Sequence, residues 1–258
     1  MQLSPDTRLE GWDGCGGYHF SDSIIYGFSH THLSGTGISD YGDVLLMPTR
    51  GEIQLTNGVK KSLTSKKTIN QLGYGSKFSH SNETSSPGYY QVFLEDYNIN
   101  VELTTSIRSG IHKYTFNSKD SANLILDLKH RDKLLKYKIN IIDSLTISGF
   151  RYSSEWAREQ RIHFIIKLSH PFKKYILNDE ENILGLSFGK IEEALITKVA
   201  ISSVDSLGAL ENLKEIKDLN FNQCLNNAEK TWDNQLKKID INTKSAVSYT
   251  HLTLPTNR

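Results

Sequence analysis

A chain of 258 residues with 37% apolar and 10% aromatic side chains is long enough to bury a core as one large domain or two small ones. Thirty Lys and Arg against 29 Asp and Glu leave a formal net charge of +1, which excludes a strong field for nucleic acid or an anionic membrane. No apolar run approaches the roughly 20 residues of a membrane helix, and Met1 to Pro5 has neither the basic nor the apolar region of an export signal.

The first dense segment is Gly11-Trp12-Asp13-Gly14-Cys15-Gly16-Gly17-Tyr18-His19-Phe20, followed by Gly27-Phe28-Ser29-His30-Thr31-His32-Leu33-Ser34-Gly35-Thr36-Gly37. Glycine lets backbone approach a ligand, an indole stacks on the C–H face of a sugar, and Asp and His can bond vicinal hydroxyls, so a sugar-contacting loop fits this composition. A glycine-rich turn with Trp12 and Tyr18 in the core fits it equally well. His30 and His32 would share one face of a strand, as in many His-x-His metal sites; further ligands would have to come from His19, Asp40, Asp43 or Cys15. Without a spacing that selects them, a hydrogen-bonding or core role for these histidines is the simpler reading, and no metal site is assigned.

From Tyr89 onward, short alternating runs recur between turn signals. Ile99, Val101, Leu103, Thr105 and Ile107 interleave with Asn100, Glu102, Thr104 and Ser106 as a half-buried strand. Similar runs span 91–94, 112–116, 123–128, 136–142, 145–152, 161–168, 173–177 and 195–202, with no crossover helices between them, which predicts an antiparallel β-sandwich over 1–203. The segment 155–160, Glu-Trp-Ala-Arg-Glu-Gln, reads as a charged hairpin loop with a packed indole at Trp156.

After Asp205, a predicted N-cap, the period changes: Leu207, Leu210 and Leu213, then Phe221, Leu225, Ala228, Trp232 and Leu236 fall at helical spacing. Two amphipathic helices over 204–246 therefore read as a linker whose apolar stripe packs against a second domain. Val247 to Leu252 equals one reading frame of a transposon sequencing adapter, so 247–258 is set aside as a sequencing artefact. Cys15 and Cys224 are too far apart in sequence to argue a disulfide.

Glycosidic cleavage needs two carboxyls, about 6.5–9.5 Å apart for inversion or about 5 Å for retention. Asp13, Asp22, Asp40, Asp43, Glu95 and Asp96 are candidates, but most sit in turn-like contexts where Asp caps backbone, and none forms a recognisable pair.

The two glycine-rich segments, with Gly42-Asp43-Val44-Leu45-Leu46-Met47-Pro48, resemble the N-terminal signature of glycoside hydrolase family 92. Pro87 to Val92 with Val101 to Thr104, the Arg108-x-Gly110-x-His112-x-Tyr114-x-Phe116 pattern and the stretch from Trp156 to Phe172 extend the resemblance over 8–246. It implies a supersandwich of galactose-mutarotase-like type, linker helices, and a C-terminal (α/α)6 barrel absent from this chain. It further implies a calcium-dependent, inverting exo-α-mannosidase of N-glycans or mannans, exported to the periplasm or cell surface. On that resemblance the acid, base and calcium ligands fall mainly in the barrel, so no catalytic residue is assigned here and this chain alone is expected to be inactive. Trp12 is then the first candidate to wall a sugar subsite, followed by Asp13, Gly14, Cys15, His30 and His32. Two other readings stay open: an autonomous carbohydrate-binding module without hydrolytic activity, and a structural sandwich.

Overall fold

The computed structural model describes residues 1–9, 11–34, 37–60, 68–69, 73–117, 119–178, 180 and 182–238. The strands are β1 (Ser4–Asp6), β2 (Ile24–Ile25), β3 (Gly27–Ser29), β4 (Leu45–Arg50), β5 (Val59–Lys60) and β6 (Thr68–Ile69). There follow β7 (Ser76–Lys77), β8 (Glu83–Ser86), β9 (Tyr89–Leu94), β10 (Ile99–Thr105), β11 (Ser109–Phe116) and β12 (Ala122–Asp127). The last are β13 (Lys133–Asp143), β14 (Thr146–Ser154), β15 (Gln160–Leu168), β16 (Lys174–Asn178), β17 (Ile183–Gly189) and β18 (Leu195–Ser202). Two α-helices, α1 (Ser206–Leu213) and α2 (Phe221–Leu236), close the described chain.

Two large sheets dominate, ordered β1-β3-β4-β12-β17-β16 and β13-β14-β15-β18-β11-β10-β9-β8, and all their pairings are antiparallel. Phe28, Leu46, Leu124 and Leu186 of the first join Val92, Val101, Tyr114 and Phe164 of the second in one buried cluster, so the two form a sandwich around a single core. The fold is mostly antiparallel β, as the alternating runs predict. The strands that periodicity does not reveal are the central ones. Leu45–Arg50 and Ile183–Gly189 are buried on both faces over most of their length, and a strand covered on both sides carries no alternation. Ile107 lies beyond the end of β10 and is exposed in the turn to β11.

The helices correct one expectation. Asp205 does cap α1, accepting from Gly208 N at 2.6 Å, and Asn220 with Gln223 forms a capping box on α2. Their apolar stripe, however, packs on this sandwich and not only on a further domain: Ala209, Leu213, Ile216, Phe221 and Cys224 cover Ile111, Ile165 and Ala200 on the outer face of the larger sheet. Leu207, Leu210, Trp232 and Leu236 stay exposed. Residues 239–258, with the end of the predicted linker and the whole predicted artefact, lie outside the described residues.

Two histidines are sealed between the sheets. His30 Nδ1 donates to Val44 O at 2.7 Å, which leaves its Nε2 to accept from His112 Nε2 at 2.9 Å, and His112 Nδ1 then accepts from Tyr114 Oη at 2.8 Å. Burial lowers His30 from 6.5 to about 4 and pushes His112 well below its ordinary value. Because the unfolded chain binds these protons first, stability should be level above about pH 6.5 and fall as the pH drops towards 4. The expected slope is about 1.4 kcal/mol per pH unit for each histidine that stays neutral in the fold. Urea unfolding at a series of pH values checks this, and unchanged stability between pH 7 and 4.5 would refute it.

Candidate functional site

The glycine-rich segment folds around Asp6 at the end of β1. Asp6 is fully buried; its carboxylate accepts from Ser29 N at 3.2 Å and Ser29 Oγ at 2.5 Å, and it lies 3.2 Å from His32 Nε2, 3.4 Å from His130 Nε2 and 3.5 Å from Arg131 Nη1. Burial alone would raise this carboxyl, but His32 and His130 outweigh it and hold it well below its ordinary value. The loop closes against this charge with no room for a side chain. At Gly17, with φ +83°, a Cβ would stand 2.6 Å from both Asp6 Oδ1 and His32 Cδ2.

Trp12 rides on a short 3-10 turn, Trp12–Gly14, that is tied down from two sides. Arg8 Nη1 binds Asp13 Oδ2 at 2.6 Å, while its Nη2 and Nε grip Asp22 at 2.6 and 3.1 Å. From the other side Arg131 Nη2 donates to Gly14 O at 2.5 Å. Glycine at 42 leaves the space that the Arg131 stem fills, since a Cβ there would meet Arg131 Cδ at 2.3 Å.

What this scaffold presents is an exposed indole at the mouth of a cavity. Trp12 is 73% exposed, which removes the core reading of this residue. The cavity, about 1020 Å³, is walled by the Leu9–Trp12 and Gly37–Ser39 segments, the β12–β13 connection, Glu155 and the turn before β17. Two floor carboxylates are already engaged: Asp127 takes the Tyr74 hydroxyl at 2.5 Å, and Asp132 pairs with the fully buried Arg151, which also binds Asp43 Oδ1 at 2.5 Å and Leu128 O at 2.7 Å. Burial raises both Asp127 and Asp132, against the cations nearby.

The structure separates the residues that the sequence groups together. Trp12 and Asp13 are outward, although the Asp13 carboxylate is engaged by Arg8 and lies 3.5 Å from His19 Nε2. Gly14 and Cys15 are buried beneath them, and neither Cys15 nor Cys224 forms a disulfide. The strand ends at Ser29, so His30 and His32 do not share a face: His30 turns into the sandwich to His112, while His32 turns to Asp6 and Ser29 and faces Gln2 O through Nδ1 at 2.8 Å. Among the described residues no group of three His, Cys, Asp or Glu could hold a metal ion. Trp156 is not packed but 80% exposed. Asp6, Arg8, His130, Arg131 and Arg151 were invisible to sequence reasoning, because each acts on partners brought together only by folding.

Fold and site together define a class: a two-sheet antiparallel sandwich carrying a polar, indole-rimmed cavity on its connecting loops. The chain belongs to the glycosyl hydrolase family 92 N-terminal domain family, whose model matches residues 1–210. It is similar to the family GH92 alpha-mannosidase BT3965 from Bacteroides thetaiotaomicron, with 30% identity and a TM-score of 0.84 over 94% of this chain and 35% of that one. The same enzyme solved with mannoimidazole matches at 30% identity, with a TM-score of 0.84, over 94% and 34% of the two chains. The inverting mannosidase BT2199 from Bacteroides thetaiotaomicron VPI-5482 shares the fold at 22% identity, over 94% and 33% of the chains, with a TM-score of 0.75. No curated protein sequence matches. The chain thus spans about a third of the length of the solved relatives.

Gly17→Ala tests the packing around Asp6. The added methyl at a positive φ should lower stability by roughly 1–3 kcal/mol or more, read as a drop in urea midpoint; an unchanged midpoint would show that the loop does not depend on this close approach.

Proposed function

We propose that this domain forms one wall of the sugar-binding cleft of a calcium-dependent, inverting exo-α-mannosidase that acts on the terminal mannose of N-glycans or mannans outside the cytoplasm. Family membership and the likeness to an α-mannosidase solved with mannoimidazole support the reading. The observation that carries it is Trp12, exposed yet held rigidly by Arg8 and Arg131 at the mouth of a polar cavity. A rigid indole loses little entropy on stacking against a sugar ring, and the polar wall beside it can bond hydroxyls.

The described residues do not by themselves fit a calcium site. They contain no metal-holding group, and the floor carboxylates Asp127 and Asp132 are committed to Tyr74 and Arg151. The reading therefore assigns the calcium ligands, the general acid and the general base to the part of the enzyme that only the longer relatives include. This domain contributes orientation and exclusion of water.

Because Trp12 is exposed, Trp12→Ala should change stability by no more than about 0.5 kcal/mol. In a protein extended to the length of the solved relatives, the same substitution should reduce kcat/KM on an α-mannoside at least tenfold, a loss of about 1.4 kcal/mol of transition-state binding. An unaltered kcat/KM would overturn the assignment of Trp12 to the cleft. Hydrolysis abolished by a chelator and restored by calcium is the expected outcome for the metal; chelator-resistant hydrolysis would remove it from the reading.

A further inference from the structure

A second indole belongs to the rim of the same cavity. The β14–β15 loop starts with Glu155, which lines the cavity beside the Trp12 segment, and continues with Trp156, whose ring is 80% exposed. This loop is clamped. The carboxylate of Asp40, itself buried, accepts Trp156 N at 3.0 Å and Ala157 N at 3.2 Å, and Glu155 N closes a tight turn onto Ala157 O at 3.1 Å.

Asp40 ends a strap that starts on the other tryptophan. Gly37 N donates to Trp12 O at 2.9 Å, Ile38 and Ser39 then line the cavity, and Asp40 reaches the Trp156 loop. Three peptide units separate Gly37 from Asp40, so the two indole-bearing loops are joined through a strap at most about 11 Å long. Single exposed apolar residues need no explanation, but two rigidly mounted indoles joined through the wall of one cavity form a continuous rim. Between them stand Ser39 and Glu155, which can bond hydroxyls.

We propose that Trp156 provides a second sugar-stacking wall, so that the site accommodates an oligomannoside longer than one residue, with Trp12 against one sugar and Trp156 against its neighbour. The proposal rests on the reading of the cavity as a mannose-binding cleft. It makes Trp156 a determinant of preference for oligosaccharide over a simple mannoside.

The test uses the indole N–H signals of the 15N-labelled chain, whose three tryptophans are Trp12, Trp156 and Trp232. Trp232 on α2 is half exposed, distant in sequence from both rim loops, and serves as the internal control. Signals are assigned with Trp12→Phe, Trp156→Phe and Trp232→Phe variants, and the chain is titrated to high millimolar concentration with methyl α-mannoside and, separately, with an α-linked mannobiose. The expected result is a saturable shift of Trp12 with both ligands, a saturable shift of Trp156 with mannobiose only, and no shift of Trp232. A Trp12 shift with mannobiose while Trp156 stays unmoved would overturn the second wall, leave the mannose cleft standing, and assign the exposed Trp156 ring to a polypeptide contact. Equal movement of Trp156 and Trp232 would reduce the effect to non-specific sugar–indole contact and also overturn it. No Trp12 response to either ligand would overturn the cleft reading and this inference with it.

Discussion

The buried carboxylate of Asp6 is the interaction on which the site depends. An unpaired charge in that position would be untenable, and the chain answers it with His32, His130, Arg131 and the Ser29 hydroxyl, drawn from three separate segments. Satisfying one charge therefore fixes the relative positions of β1, the end of β3 and the β12–β13 connection. Gly17 packs against the same carboxylate, and its carbonyl accepts Thr7 N and Arg8 N at 2.8 and 2.9 Å. The whole glycine-rich loop is thus wrapped on a single anion.

From that anchor the site is built outward by arginines. Arg131 links Asp6 to Gly14 O, Arg8 links Asp13 to Asp22, and between them they hold a 3-10 turn whose only large exposed side chain is Trp12. Arg151 does the same for the cavity floor by joining Asp43 and Asp132. Planar guanidinium groups suit this work, because each can address two or three acceptors in fixed directions at once. A rigid presenting surface is what a site needs if it is to orient a flexible, polar ligand without ordering itself on binding.

The relatives are about three times as long as this chain, and the domain's chemistry fits a part that works with another. Its cavity carboxylates are committed to structural partners and its histidines face inward, so what it offers to a ligand is shape, aromatic surface and hydrogen-bonding groups. Such a domain can select and position a sugar, while proton transfer and metal binding fall to the part that faces it.

Sequence alone determined the fold class and the family. Alternating runs mark the strands with one face in the core and one in solvent, the caps at Asp205 and Asn220 mark the helices, and the glycine-rich signature carries the resemblance. These are local signals, readable because backbone period and capping act over a few residues. The tertiary structure decided the rest. It placed β4 and β17 inside the sandwich, laid α1 and α2 on the outer sheet, turned Trp12 and Trp156 outward, and sent His30 and His32 to different partners. Each of those outcomes depends on contacts between residues far apart in the chain, such as the reach of Arg131 to Gly14 or of Asp40 to Trp156. Which side of a segment faces the core is set by what folding brings against it, and no local spacing encodes that.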